Sequence, residues 1–413
     1  MSLWKGVWVG GKAMTNPRNP SNLPKIAGLK LGAVGAGIKR PDRDDVLLIE
    51  LAEGSTCAAV FTRNAFCAAP VTLARRHLPR SPRWLLVNAG NANAGTGSRG
   101  LEDAERTCRL VAELTGGTAE QVLPFSTGVI GEYLPVDKIE AALPKAIEAL
   151  AEDGWARAAR AIMTTDIVPK LAYRQIELDG RAVTLIGIAK GAGMIHPNMA
   201  TLLSYIGTDA QVETGALQAL LAEAADRSFN RITVDGDTST NDSLVLMATG
   251  QSGVAINSGN RSDFAAALQE VCDELAEAIV RDGEGATKLI RIVVEQACDE
   301  AEAHQVANTV ALSPLVKTAF FASDPNWGRI LAAVGRAGCA SLDIAKVSIW
   351  LGDVQIVENG GRALSYTEEA GQKVMSDSDI TVRITLGRGE ATQKVLTCDF
   401  SYDYVKINAE YRT

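Results

Sequence analysis

Short, continuously apolar runs alternate along this chain with longer segments whose apolar residues recur every three or four positions. That alternation calls for a fold in which sheets and helices pack in layers. Residues 46–51 (VLLIEL) and 84–90 (WLLVNAG) read as strands bounded by polar or small residues. Helical spacing covers 101–115, 136–151 and 153–163. Residues 173–188 predict a hairpin that turns at Asp179-Gly180. The run TLLSYIG, from Thr201, predicts a strand. Beyond it, helices are expected at 214–227, 263–281, 300–312 and 326–334. Strands are expected at 244–248, 289–295 and 316–321. Hairpins are expected at 347–357 and between 380–386 and 395–400. With so many hairpins, a mixed, layered α/β fold is favoured over a doubly wound parallel sheet.

The chain has 413 residues, room for two lobes or one large unit, and 46% of them are hydrophobic. The net charge is -8 with no basic run, which argues against a nucleic-acid surface. Apolar runs fall short of the about 20 residues that a membrane helix needs, and the N-terminal segment lacks a long apolar stretch, so a cytoplasmic location is expected. The seven cysteines show no C-x-x-C spacing, as expected of reduced, buried thiols. Three histidines, His77, His196 and His304, offer no metal-site spacing and weaken any Ser-His-Asp scheme.

Three motifs invite other readings and fail on spacing. Residues 28–40 (GLKLGAVGAGIKR) are glycine-rich but lack the strand–loop–helix order of a dinucleotide loop, and read as turns. Residues 281–288 (RDGEGATK) lack phosphate-loop spacing and read as a helix end followed by a glycine turn. In 234–243 (VDGDTSTNDS), a calcium loop would put Thr240 where glycine is needed and Leu246 where glutamate is needed. An Asp/Ser/Thr turn network that also lines a site is the alternative. Asp324, before Pro325, reads as a helix N-cap, which gives Asn326, Trp327 and Arg329 a structural rather than catalytic setting.

Residues 190–210 carry the chemistry. Gly191 and Gly193 loosen the backbone, Pro197 blocks regular pairing, and a strand then opens on Thr201. A threonine there suits self-processing. Its hydroxyl attacks the Ala200 carbonyl in an N-to-O acyl shift, and water releases the ester. The new α-amine has an ordinary pKa of about 7.7–8.0, so it can act as general base for its own hydroxyl. No histidine is needed. On pattern alone, a threonine in an apolar strand is a good β-former and nothing more.

The segment KGAGMIHPNMATLL resembles the autoproteolysis signature of the ornithine acetyltransferases, also called bifunctional glutamate N-acetyltransferases. NAGNANAGTG (88–97), FSTGVIGE (125–132), MTTD (163–166), VDGDTSTNDS, RDGEGATK, SDPNWGRI (323–330) and VKINAEYRT (405–413) resemble the same family, in family order over nearly the whole chain. Leu202 and Leu203 depart slightly, since a methionine is often one of that pair. The resemblance implies an α-β-β-α sandwich rather than a Rossmann fold. It also implies cleavage at Ala200–Thr201 into an α chain, 1–200, and a β chain, 201–413.

It implies as well a ping-pong transfer of acetyl from N-acetylornithine to glutamate through acetyl-Thr201, in arginine biosynthesis. Thr127 and Gly128 match the oxyanion pair, although Ser126–Gly128 alone would read as a turn after Pro124. Thr164, with Thr165 as the alternative, Lys190, Thr201, Glu284, Asn408 and the C-terminal Thr413 match substrate-binding positions. The C-terminal segment is implied to fold into the pocket. No metal and no bound cofactor are implied, and nothing local decides whether acetyl-CoA is a second donor. A dimer of cleaved chains, α2β2, is implied. A self-cleaved amidase or aminopeptidase and a non-catalytic amino-acid-binding protein are the competing readings.

Overall fold

The computed structural model describes residues 23–196 and 202–410. In chain order the elements are β1 (Leu29–Val34), β2 (Val46–Leu51), β3 (Thr56–Phe61), α1 (Ala69–His77), β4 (Trp84–Asn91), α2 (Gly97–Thr115), β5 (Val122–Val129), α3 (Val136–Glu148), α4 (Trp155–Ala161), β6 (Lys170–Leu178) and β7 (Arg181–Lys190). They continue with β8 (Leu203–Thr208), α5 (Thr214–Arg227), β9 (Ser243–Ala248), α6 (Arg261–Arg281), β10 (Leu289–Ala297), α7 (Glu300–Ala311), α8 (Pro314–Phe321) and α9 (Trp327–Gly335). The last are β11 (Ser348–Leu351), β12 (Val354–Glu358), β13 (Gly361–Arg362), α10 (Glu368–Met375), β14 (Asp379–Thr385), β15 (Ala391–Cys398) and α11 (Tyr402–Glu410).

Two sheets lie face to face. One has strand order β1-β2-β4-β5 and the other β3-β9-β8-β7-β6. Alternate side chains of each strand serve different cores, because successive Cβ atoms point to opposite faces. In β2, Leu47, Ile49 and Leu51 join Ile186, Ile188, Tyr205 and Met247 of the facing sheet. Val46 and Leu48 point the other way, onto Cys108 and Val111 of α2 and Ile139 and Leu143 of α3. Leu244 and Leu246 of β9 likewise turn from the shared core toward α5 and α6. A strand buried on both faces must be apolar throughout, which explains the unbroken runs in the sequence. The result is the α-β-β-α sandwich. A third sheet, β13-β12-β11-β14-β10-β15, packs its core against α7, α8 and α9.

Four expectations are corrected. Residues 316–321 are helical, within α8: Ser313 caps Val316 N and Pro314 stands in the first turn, and this start signal outweighs the strand-like LVKTAFF composition. β14 and β15 form no hairpin, since β10 lies between them, parallel to β14 and antiparallel to β15. The glycine-rich stretch 28–40 contains β1. Gly32 is there for packing, because a Cβ would stand 2.0 Å from the Ala146 carbonyl oxygen of α3. Asn326, not Asp324, caps α9, accepting from Arg329 N at 3.1 Å.

The sandwich does not divide at residue 200. β7 pairs antiparallel with β8, Lys190 opposite Leu203, and β3 pairs with β9. Backbone hydrogen bonds therefore join elements from both sides of the expected cleavage point.

Candidate active site

The parallel strands β4 and β5 end side by side, with Ala89 opposite Thr127 and Gly90 opposite Gly128. The ladder is irregular at Gly90 and Asn91. So Ser126–Gly128 is strand, not the turn that pattern alone gave. Gly128 has φ 133°, and a Cβ on it would stand 2.3 Å from the Gly90 carbonyl carbon. Only glycine fits this conformation and this approach. Backbone strain and overpacking each cost about 1–3 kcal/mol. Gly128→Ala is thus expected to lower the melting temperature by several degrees; an unchanged melting curve would contradict the crowding.

Polar links hold this end together. Ser126 Oγ donates to Asn88 Oδ1 at 2.6 Å. Asn241, just before β9, donates to the Ala92 and Ser126 carbonyls at 2.6 and 2.9 Å. Lys190 closes β7. It is buried, with Nζ 3.3 Å from Thr127 Oγ1. An ammonium donates only, so Thr127 accepts there and its own hydroxyl proton is left to point elsewhere. Burial pushes Lys190 below the usual lysine range, while Asp166, Asp242 and Glu284 act to hold its proton.

A buried charge network, missed in the sequence, fixes the segments that carry Thr164 and Lys190. Lys170 Nζ lies 2.6 Å from Asp166 Oδ1 and 2.6 Å from Asp282 Oδ2. Asp166 Oδ1 also accepts from Gly191 N at 2.7 Å, and Oδ2 from Thr164 N at 2.9 Å. Asp282 accepts from Ile167 N at 3.0 Å. One carboxylate therefore orients Thr164 and the end of β7 together. Burial opposes its charge, but Lys190 and Lys170 outweigh that and hold Asp166 well below the usual carboxylate range.

Removing one partner of a buried ion pair typically costs about 3–5 kcal/mol. Asp166→Asn is expected to lose stability on that scale and to raise KM, read from a urea midpoint and steady-state rates. An unchanged midpoint would show the network to be dispensable. The D of MTTD was the signal available for Asp166. Nothing in sequence pointed to Lys170.

The third wall follows α6. Glu284 N donates to the Ala192 carbonyl at 2.8 Å, and the Glu284 carboxylate accepts from Asn408 Nδ2 of α11 at 2.9 Å. Gly193 makes room, since a Cβ there would meet that carboxylate at 2.4 Å. The C-terminal residues 402–410 are helical and carry Asn408 to the site. Asp235 staples the loop after Gly193, accepting from Met194 N at 2.7 Å and Ile195 N at 2.9 Å. Met194 is held at φ 56°, a strained value for a non-glycine residue. The VDGDTSTNDS motif is thus a turn network, and its Ser239, Thr240 and Asn241 line the site. The next residue, Asp242, is buried, and its Oδ2 has no hydrogen-bond partner among the described residues. Burial pushes its carboxyl far above the usual range.

Together Thr127, Gly128, Thr164, Thr165, Lys190, Glu284 and Asn408 line one cavity of about 100 Å³. None of its described lining residues is a histidine. Ala200, Thr201 and Thr413 lie outside the described residues. The nearest described residues to Thr201 in the chain are well anchored. The Leu202 carbonyl accepts from Ser243 N at 2.8 Å, and Leu203 pairs with Lys190.

The ArgJ family model matches residues 30–413. The chain is 64% identical over 406 residues to the arginine biosynthesis bifunctional protein ArgJ of Methylococcus capsulatus, covering 97% of this chain and 100% of that protein. Identity to the protein of that name from Pseudomonas fluorescens is 56% over 395 residues, covering 95% and 98%. A solved structure, ornithine acetyltransferase complexed with ornithine from Mycobacterium tuberculosis, is similar at 35% identity over 43% of this chain and 96% of that chain, with a TM-score of 0.38.

Proposed function

The chain belongs to the ArgJ family, and from that premise we propose that Thr201, freed by cleavage after Ala200, carries acetyl from N-acetylornithine to glutamate. The supporting observation is convergence. Six described positions, Thr127, Gly128, Thr164, Lys190, Glu284 and Asn408, come from five separate parts of the chain and line a single cavity. The chain re-enters the described structure at Leu202, one residue before Leu203, the strand partner of that cavity's Lys190.

The Thr201 amine takes the hydroxyl proton as Oγ attacks the acetyl carbonyl. The Thr127 hydroxyl and the Gly128 N–H stabilise the oxyanion. Lys190, donating into Thr127 Oγ1, turns the Thr127 hydroxyl proton toward the cavity and adds positive charge behind it. Ornithine leaves with the proton. Glutamate's α-amine then attacks the ester, forming N-acetylglutamate and returning the proton to Oγ. Lys190 or Thr164 serves the substrate carboxylate, and Glu284, oriented by Asn408, serves a substrate ammonium. Thr413 is assigned to the same site by the family motif, and no cofactor takes part.

The α chain 1–200 and β chain 201–413 stay together after cleavage, held by the β7–β8 and β3–β9 ladders. Two such pairs form an α2β2 assembly in the cytoplasm. Among the described residues, no helix is long and apolar enough to cross a membrane. The test is to incubate enzyme with N-acetylornithine, with and without glutamate. Sustained ornithine release that needs glutamate supports transfer. Equal release without glutamate would make the protein a hydrolase.

A further inference from the structure

The third sheet adds no residue to the reaction cavity. None of the described lining residues lies in 289–398, the span from β10 to β15. Yet Glu284 and Asn408 sit on the two segments that enter and leave this sheet at one place. The turn 282–288 leads into β10, and residues 399–401 lead out of β15 to α11. Leu289 pairs with Cys398, so the two segments start side by side.

Asp399 fastens them together. It is fully buried, at 0% exposure. Its Oδ1 accepts from Thr287 N and from Lys288 N, each at 2.8 Å, and Oδ2 accepts from Thr287 Oγ1 at 2.5 Å. A carboxylate binds such donors more strongly than a neutral acceptor does, so three of them fix the turn. Two residues on, Ser401 Oγ donates to the Gly285 carbonyl at 2.6 Å and accepts from Tyr404 N at 3.3 Å. Turn and helix touch directly. Gly285 has φ 70°, and a Cβ there would stand 2.5 Å from Tyr404 N.

These ties matter because α11 has little else to hold it. None of its side chains is buried, whereas a helix in a protein is ordinarily fixed by burying an apolar face. Its root is anchored instead. Phe400 N donates to the Lys317 carbonyl of α8 at 3.2 Å, and the Phe400 ring stacks on Tyr404 with centroids 4.8 Å apart. The turn has a matching anchor: Lys288 Nζ donates to Ser323 Oγ at 2.6 Å. The SDPNWGRI motif thereby gains a place, through its Ser323, in the support of the site.

We propose that Asp399 is a positioning residue for the transfer reaction. By clasping the 282–288 turn to the root of α11, it sets the Glu284 carboxylate against Asn408 in the orientation that receives the substrate ammonium. This rests on the acyl-transfer reading above. Asp399 touches no substrate and acts through Glu284.

The test is a double-variant cycle of Asp399→Ala and Glu284→Gln, read as KM for N-acetylornithine at saturating glutamate. Alone, Asp399→Ala should raise that KM about tenfold and leave kcat within about threefold, as lost uniform binding does. In the Glu284→Gln background the same substitution should change KM by less than about twofold, because residues that act through one another do not add. Asp399→Asn keeps an acceptor for the two backbone N–H groups and should restore most of the affinity. Thr287→Val removes one donor from an exposed residue and should raise KM about threefold, again only where Glu284 is intact. A KM raised by the same factor in both backgrounds would overturn the proposal. So would a lower melting temperature with KM unchanged, which would make Asp399 a brace for the fold alone. If Asp399→Ala does not fold, Thr287→Val decides by the same comparison. A wild type that releases no ornithine would instead sink the transfer reading itself.

Discussion

Thr201→Ala is expected to run as one band near 43.7 kDa on denaturing electrophoresis and to transfer no acetyl at any substrate concentration. Wild type is expected to give two bands of similar size, for 1–200 and 201–413. The reason is chemical economy: a single hydroxyl opens the backbone and later carries the acyl group, so alanine removes both reactions. The chain is anchored on both sides of the segment. Met194 is held at φ 56° by the Asp235 carboxylate, and Leu202 is anchored by Ser243 N. The fold should survive, because Leu203 still pairs with Lys190 whether or not the bond is cut. A variant that still cleaves at this bond would remove Thr201 from the nucleophile's role. Thr201→Ser is the companion, keeping a hydroxyl and hence cleavage.

Thr127→Ala is expected to cut kcat about 100- to 1000-fold, the usual cost of one lost oxyanion donor, with KM nearly unchanged. Thr127 is nine-tenths buried at the end of the edge strand β5, yet the alanine it would become resembles its neighbour Ala89 in size, so the ladder should hold. A loss in kcat with normal melting assigns the hydroxyl to the transition state. A rise in KM with kcat intact would make Thr127 a binding residue only. Self-cleavage separates the uses further: a fully processed but slow variant places Thr127 in acyl transfer rather than in maturation.

The sandwich was legible because its central strands are buried on both faces. Such strands leave unbroken apolar runs like VLLIEL, and helices α5 and α6 show plain spacing. What failed was long-range pairing. Nothing local to β14 and β15 reveals that β10, from far earlier in the chain, inserts between them. The helix α8 failed for the opposite reason: a local cap, Ser313-Pro314, overrode the composition that follows it. Glycines misled in β1, where Gly32 admits a helix rather than making a turn.

The site was legible mainly through motif resemblance. Thr127, Gly128, Lys190 and Glu284 have ordinary alternatives as turn or loop residues, and only the fold brings them onto one cavity. Asp166 lay inside a quoted motif, but its role depends on Lys170 and Asp282, which lies 112 residues from Lys170. Charges that meet across such separations leave no periodic trace. Lys190 shows the same limit. Its burial, which decides how it acts on Thr127, follows from the closing of β7 against β8.

The most direct measurement is intact and peptide mass spectrometry of processed enzyme quenched after mixing with N-acetylornithine alone. One acetyl group should appear on the side-chain oxygen of the residue that begins the 201–413 fragment, and it should vanish when glutamate is added. An acetyl group on another residue, or active enzyme whose backbone is continuous through position 200, would contradict the account.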